Sequence, residues 1–262
     1  MNKEAEDRSY WDKIYKTREP VLFDPLDWRN AASLSFIEKI NSLVKPSDRI
    51  LEIGGGGGQI SCYLAQKNPD TSFTIIDFSR EGCLEAEKLS KQQKIPLEVI
   101  GIDFFSNEKS LASSFEMLFS LGVVEHFSDL PSTIKSMGFY LKQKGKIFTL
   151  IPNMASPVYS YLCGKWNRKV LETHILYDLV ALRSGHEKAG FKILESGYIY
   201  PVEFSILSMA FSSNTTEKLD WFFFLWLTRL SKIIHLLYRA GIKLPANRLF
   251  SPYIFVIGEK VS

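Results

Sequence analysis

The chain has 262 residues, 32 basic and 29 acidic, for a net charge of +3, and 45% of it is hydrophobic. That is enough for one large domain with a substantial core and short for two independent ones. The charges are interspersed, so no basic arm points to nucleic acid. Cys62, Cys83 and Cys163 are scattered without C-x-x-C spacing, which argues against a disulfide framework or a zinc site. The start, MNKEAEDRSYW, is acidic and has no apolar stretch, so the expectation is a cytoplasmic protein without a secretory leader.

In chain order, Ala31, Leu34, Ile37, Ile40, Leu43 and Val44 recur at helical spacing and predict an amphipathic helix over 28–44, ended by Lys45-Pro46. Arg49 to Ile53, RILEI, reads as a buried strand that runs into five glycines, Gly54 to Gly58. A helix over 59–67, a strand over 72–77, a helix over 80–93 and strands over 97–100 and 117–121 follow. A helix over 130–141 and a strand over 146–151 complete the regular part. This alternation predicts an α/β fold, a parallel sheet with helices on both faces. Beyond Pro152 a loop-rich stretch leads to a helix over 178–189 and two late strands, 191–200 and 253–259. The organisation expected is one domain: an N-terminal helical cover (1–45), a ligand-binding core (46–200), a helical insertion (201–250) and a final strand (251–262).

Glu52, Gly54, Gly56 and Gly58 form E-x-G-x-G-x-G. Glycines between a core strand and a helix N-terminus bare backbone N–H groups to a closely approaching, electron-rich ligand. Glu52, Asp77, Asp103 and Ser120 fall at or just past strand ends, where open parallel sheets bind ligands. Asp77, one β-α-β crossover after Gly54, is spaced to accept both hydroxyls of an adenosine ribose. A nicotinamide site and an adenosyl site both use that layout. The nicotinamide fingerprint G-x-G-x-x-G fits badly, because its third small position falls on Gln59 or Ile60.

The segments YWDKIY (10–15), LEIGGGGG (51–58), IIDFS (75–79), GIDFF (101–105), FSLGVVEHF (119–127), LKQKGKIFTLIPN (141–153) and EKAGF (187–191) occur in this order. Together they resemble the class I S-adenosylmethionine-dependent methyltransferases. The resemblance implies a doubly wound, seven-stranded sheet whose last strand is antiparallel. It also implies S-adenosylmethionine as cofactor, with Glu52, Gly54, Gly55, Gly56 and Gly58 at its methionyl end and Asp77 on the ribose. Asp103 would meet the adenine amino group, Phe78 and Phe104 would wall the ring, and Ser120 and Leu121 would complete the set. The reaction implied is methyl transfer to a small or amphiphilic acceptor, more readily at oxygen. The alternative is a non-catalytic, cofactor- or nucleotide-binding interaction subunit of the same fold.

His126, just after the fourth strand, is the candidate general base, since an unperturbed imidazole titrates near ~6.5. Tyr10 and Trp11 are candidates for a lid, and Asn153 and His174 for the acceptor pocket. Ubiquinone-pathway O-methyltransferases show a similar E-x-x-E-H segment that binds a divalent cation. Here Glu125 and His126 match but Gly122 replaces the first acid, so no metal is expected.

The late segment 219–241 is apolar and aromatic. At ~100° per residue, Arg229, Lys232, His235 and Arg239 share a face with Thr228 and Ser231. Trp226, Leu227, Leu230, Ile233, Ile234 and Leu237 fill the other, and Leu236 strays onto the polar side. Arg229 and Lys232 interrupt the run and argue against a spanning helix. Two uses remain: peripheral contact of 221–239 with the inner face of a membrane, which favours a lipid-linked acceptor, or a cover over the acceptor pocket or a dimer seam.

Overall fold

The computed structural model describes residues 3–16, 19–166, 168–210, 218–242 and 244–261. Residues 1–2, 17–18 of the expected helical cover, 167, 211–217 and 243 of the expected insertion, and 262 lie outside them.

The glycine-rich βαβ unit is β1 (Arg49–Ile53), α3 (Gln59–Lys67) and β2 (Ser72–Ile76), followed by α4 (Arg80–Gln93) and the short β3 (Glu98–Ile100). Next come β4 (Phe115–Leu121), α5 (Leu130–Gly138) and β5 (Leu141–Pro152), then α8 (Leu179–Lys188), β6 (Phe191–Ile199) and β7 (Tyr253–Lys260). Two further helices precede β1, α1 (Lys3–Lys16) and α2 (Ala31–Asn41). Three more, α6 (Pro157–Trp166), α7 (Arg168–Glu172) and α9 (Lys218–Arg239), lie beyond β5.

The seven strands form one sheet in the order β3-β2-β1-β4-β5-β7-β6. Only β7 runs antiparallel to its neighbours, pairing with both β5 and β6. Successive strand residues face opposite layers. Ile50 and Phe148 pack with α2 and α3 on one side, while Leu51 and Ile147 pack with α5 and α8 on the other. Strands β1, β2, β4 and β7 are buried on both faces, which is why they read as continuous apolar runs rather than alternating ones, while the edge strands β3 and β6 are partly exposed.

Local chemistry sets the helix starts. The side chains of Ser79, Asp129 and Asp178 accept the backbone N–H of Gly82, Ser132 and Ala181, satisfying donors that a helix leaves unpaired. His186 on α8 is a satisfied core histidine, its two ring nitrogens 2.9 Å from Thr149 Oγ1 and 2.8 Å from the Leu182 carbonyl. Burial lowers its pKa to about 4.

Several boundaries differ from expectation. Strand β5 begins at Leu141, not Lys146, and takes over the end of the expected helix, which stops at Gly138. The gain lies in pairing with β4, whose register shifts between Phe115 and Met117. The helix expected over 28–44 divides into a 3-10 turn, Trp28–Asn30, capped by Asp27, and α2, which ends at Asn41. The loop-rich stretch after Pro152 holds α6 and α7. Tyr159, Leu162, Cys163 and Trp166 of α6 are buried at helical spacing, and Pro157 opens the helix at its first position, where the missing N–H costs nothing. The three cysteines are free and buried. Among the described residues, no helix is long and apolar enough to cross a membrane.

Candidate active site

The strand order reverses at β1, which has β2 on one side and β4 on the other. Ile53 pairs with Ile76 and with Ser120, so three strand ends lie abreast at this switch point. Glu52, Asp77 and Ser120 are all buried there. Glu52 accepts a short hydrogen bond from the Ser61 hydroxyl at the start of α3. Burial pushes its pKa to about 8, only partly offset by that hydrogen bond.

The glycine loop folds against these acids. The Gly56 N–H donates to Asp77 Oδ2 at 2.7 Å, and the Ser79 N–H donates to Asp77 Oδ1 at 2.7 Å. Burial raises the Asp77 pKa, opposed by those two N–H donors. Gly56 takes φ +45°, and a Cβ there would overlap the Tyr15 ring and hydroxyl. At Gly55 a Cβ would sit 2.9 Å from the Glu52 carboxyl carbon. The loop thus gives up every side chain to let the acids, α1 and the backbone N–H groups meet. The Ser120 hydroxyl, at the end of β4, has no hydrogen-bond partner among the described residues although it is buried. Buried polar groups seldom go unpaired, so this one fits a bound ligand. Leu121 follows it, half-buried.

Asp103 is half-buried and accepts the Phe105 N–H at 2.9 Å, capping a 3-10 turn. Phe104 packs into the core, its ring 4.1 Å from that of Phe105 and 5.9 Å from that of Phe127. Phe78 is half-buried beneath Arg8, whose guanidinium lies 5.8 Å from the ring centre.

Helix α1 covers the loop. Arg8, Trp11, Asp12 and Tyr15 follow i, i+3, i+4, i+7 spacing and share a face. Asp12 Oδ1 accepts the Ser79 hydroxyl at 2.6 Å and the Glu81 N–H at 3.3 Å, while Tyr15 packs on Gly56 and Gly82. Trp11 meets His126 edge-on at 6.0 Å. Tyr10 is exposed and touches Trp11 edge-on.

His126 lies in a short 3-10 turn, Val124–His126, after β4. Its Nδ1 is 2.9 Å from the Thr173 carbonyl, which can only accept, so Nδ1 carries a proton, and the neutral ring has its lone pair on Nε2. The Ile175 N–H donates to the Glu125 carbonyl at 2.8 Å, tying the 173–175 loop to this turn. His174 thereby comes to a ring distance of 4.9 Å from His126. One ligand-type atom each from Glu125, His126 and His174 lies within 4.8 Å of the others. Glu125 is buried, one carboxylate oxygen lacks a partner among the described residues, and burial raises its pKa to about 8.

The site therefore gathers Glu52, the glycines, Asp77, Ser120, Trp11, His126 and His174. Asn153 is buried, and its side-chain N–H groups donate to the Arg248 and Ser251 carbonyls at 3.0 and 2.9 Å. Those bonds tether the segment before β7 and take up the donors an acceptor would need. Sequence reasoning passed over Asp12, Tyr15 and Ser61. The first two lie in the YWDKIY segment and were legible from their helical spacing with Trp11.

A family model described as "Methyltransferase domain" matches residues 27–196. A ubiquinone biosynthesis O-methyltransferase from Idiomarina loihiensis is 28% identical over 138 residues, 51% of this chain and 55% of that protein. The chain thus aligns with only about half the length of this curated relative. Among solved structures, a geranyl diphosphate C-methyltransferase from Streptomyces coelicolor matches with TM-score 0.64 at 13% identity, covering 99% of both chains. A SAM-dependent methyltransferase from Archaeoglobus fulgidus matches with TM-score 0.57 at 20% identity, covering 88% of this chain and 94% of that one. The fold and the switch-point cradle define the class I S-adenosylmethionine-dependent architecture. The chain belongs to the methyltransferase domain family.

Proposed function

We propose that this protein transfers a methyl group from S-adenosylmethionine to an oxygen of a small or amphiphilic acceptor, of the lipid-linked sugar or quinone-precursor type. The observation that carries the reading is the convergence of the side-chain-free loop, Asp77, Glu52 and the unpartnered Ser120 hydroxyl at one switch point. The glycine N–H groups and Glu52 would hold the methionyl end, Asp77 the ribose hydroxyls and Asp103 the adenine edge. Phe78 would flank the adenine beside the Phe104 backbone, and Leu121 would lie beside Ser120.

When bound, the cofactor supplies an activated sulfonium methyl, so the protein has to align the acceptor, exclude water and take up a proton. With the cofactor bound, the acceptor oxygen held beside Trp11 and His126 would take the methyl group, the S–CH₃ electron pair staying on sulfur. His126 Nε2 receives the acceptor's proton. The Nδ1–H bond to the Thr173 carbonyl holds the ring in the tautomer that can do so. Trp11 closes the site over His126, and His174 borders the acceptor space. Incubation with S-adenosylmethionine and a panel of hydroxylated acceptors tests the assignment. Acceptor-dependent release of S-adenosylhomocysteine supports it. Tight binding of S-adenosylhomocysteine with no turnover on any acceptor favours the interaction subunit instead.

A further inference from the structure

Helix α9 does not sit as its amphipathic pattern predicts. It docks through the flank bearing Phe224, Leu227, Ser231 and Ile234, all buried. Phe224 and Leu227 pack with Met154, Tyr159 and Trp166 of a small third core, and the Ser231 hydroxyl accepts the Phe204 N–H at 2.9 Å. This turns the neighbouring flank outward. Phe222, Trp226 and Ile233 are 67%, 57% and 55% exposed, Leu237 is also exposed, and exposed Arg229 lies in line with them. The next turn adds exposed Ile242, whose N–H donates to the Leu237 carbonyl. Among the described residues nothing covers this aromatic strip, and such patches mark interaction sites.

We infer that this strip docks on a bilayer surface containing anionic phospholipid. Charge selects that occupant. Among the described side chains of α9, the exposed cations are Arg229, Lys232 and Arg239, against one acid, Asp220, which pairs with Lys165 at 2.6 Å. A second copy would bring like charges together along the strip, whereas anionic headgroups complement them while Trp and Phe enter the interfacial layer. The third core beneath α9 includes Met154, two residues past the end of β5, so the helix lies on the sheet edge that carries the active site. Docking there brings the acceptor pocket to the headgroup layer. The inference holds whether or not the acceptor is itself a lipid.

Vesicle flotation tests this, using phosphatidylcholine alone and phosphatidylcholine mixed with phosphatidylglycerol. The wild type is expected to float with the mixed vesicles and to lose binding as salt is raised. Arg229→Glu/Lys232→Glu should reduce partitioning at least tenfold, since each cation near an anionic surface contributes about fivefold. Phe222→Ser/Trp226→Ser should abolish it. A thermal shift with S-adenosylhomocysteine, unchanged in every variant, reports an intact fold and cofactor site independently of vesicle binding. No flotation by the wild type, or equal flotation by wild type and variants, overturns the inference. A concentration-dependent dimer dissolved by Phe222→Ser/Trp226→Ser, with no vesicle binding, overturns it in favour of a second copy.

Discussion

Replacing Gly56 with alanine adds a methyl group where the structure has the Tyr15 side chain, at a backbone φ of +45°. Two costs can be separated. A left-handed alanine costs about 1 to 2 kcal/mol wherever the methyl points. The overlap with Tyr15 forces α1 off the loop and breaks the hydrogen bonds from the Ser79 hydroxyl and Glu81 N–H to Asp12. Hydrogen bonds to a charged group contribute about 1.5 to 3 kcal/mol each, and α1 is partly solvated, so the lower end applies. The expected total is about 4 to 5 kcal/mol. In the proposed reading the same loop borders the cofactor, so S-adenosylhomocysteine affinity should fall by about tenfold to a hundredfold, at 1.4 kcal/mol per decade. Tyr15→Ala removes the overlap but not the backbone strain, so Gly56→Ala/Tyr15→Ala should unfold less easily than Gly56→Ala alone. Chemical denaturation and titration calorimetry measure the two effects. Wild-type stability and affinity in Gly56→Ala would refute the reasoning, as would a double variant additively worse than either single one.

Glu52 binds its proton far more tightly folded than unfolded. Its contribution is present below pH ~4.5 and is lost as the pH rises to about 8. In the ligand-free protein, stability should therefore fall over that window by on the order of 4 kcal/mol from this group. Glu52→Gln should flatten the slope in urea titrations, and an unchanged slope counts against it. His126→Ala should lower kcat about a hundredfold or more, leaving S-adenosylhomocysteine affinity intact. EDTA should leave turnover unchanged; a loss restored by Zn²⁺ or Mn²⁺ would instead make Glu125, His126 and His174 ligands, a donor set suited to such ions. Asn153→Ala should cost about 2 to 3 kcal/mol by removing two buried hydrogen bonds, with cofactor affinity unaltered; a selective loss of turnover would return Asn153 to the acceptor pocket.

The sheet was legible because burial on both faces writes itself as uninterrupted apolar runs, and the caps at Ser79, Asp129 and Asp178 mark where helices start. The glycine loop was legible for a related reason, since only close backbone approach explains five glycines against a core strand. Contacts between distant segments were not legible. His174 meets His126 only because the Ile175 N–H bonds the Glu125 carbonyl, and nothing in either segment announces the pairing. The strand taking over 141–145 is likewise decided by its partner β4. The seating of α9 went against its own pattern. Periodicity identified the apolar face, but a serine that caps a neighbouring backbone N–H chose the buried flank, leaving Trp226 and Ile233 outside.

The central claim is that the loop, Glu52, Asp77 and Ser120 form a cradle for an adenosyl sulfonium. Titration calorimetry with S-adenosylhomocysteine tests it most directly. The wild type should bind one equivalent, Asp77→Ala should bind at least tenfold more weakly through loss of the ribose contacts, and NADH should give no heat. Heat with NADH and none with S-adenosylhomocysteine, or equal affinity in Asp77→Ala, would contradict it.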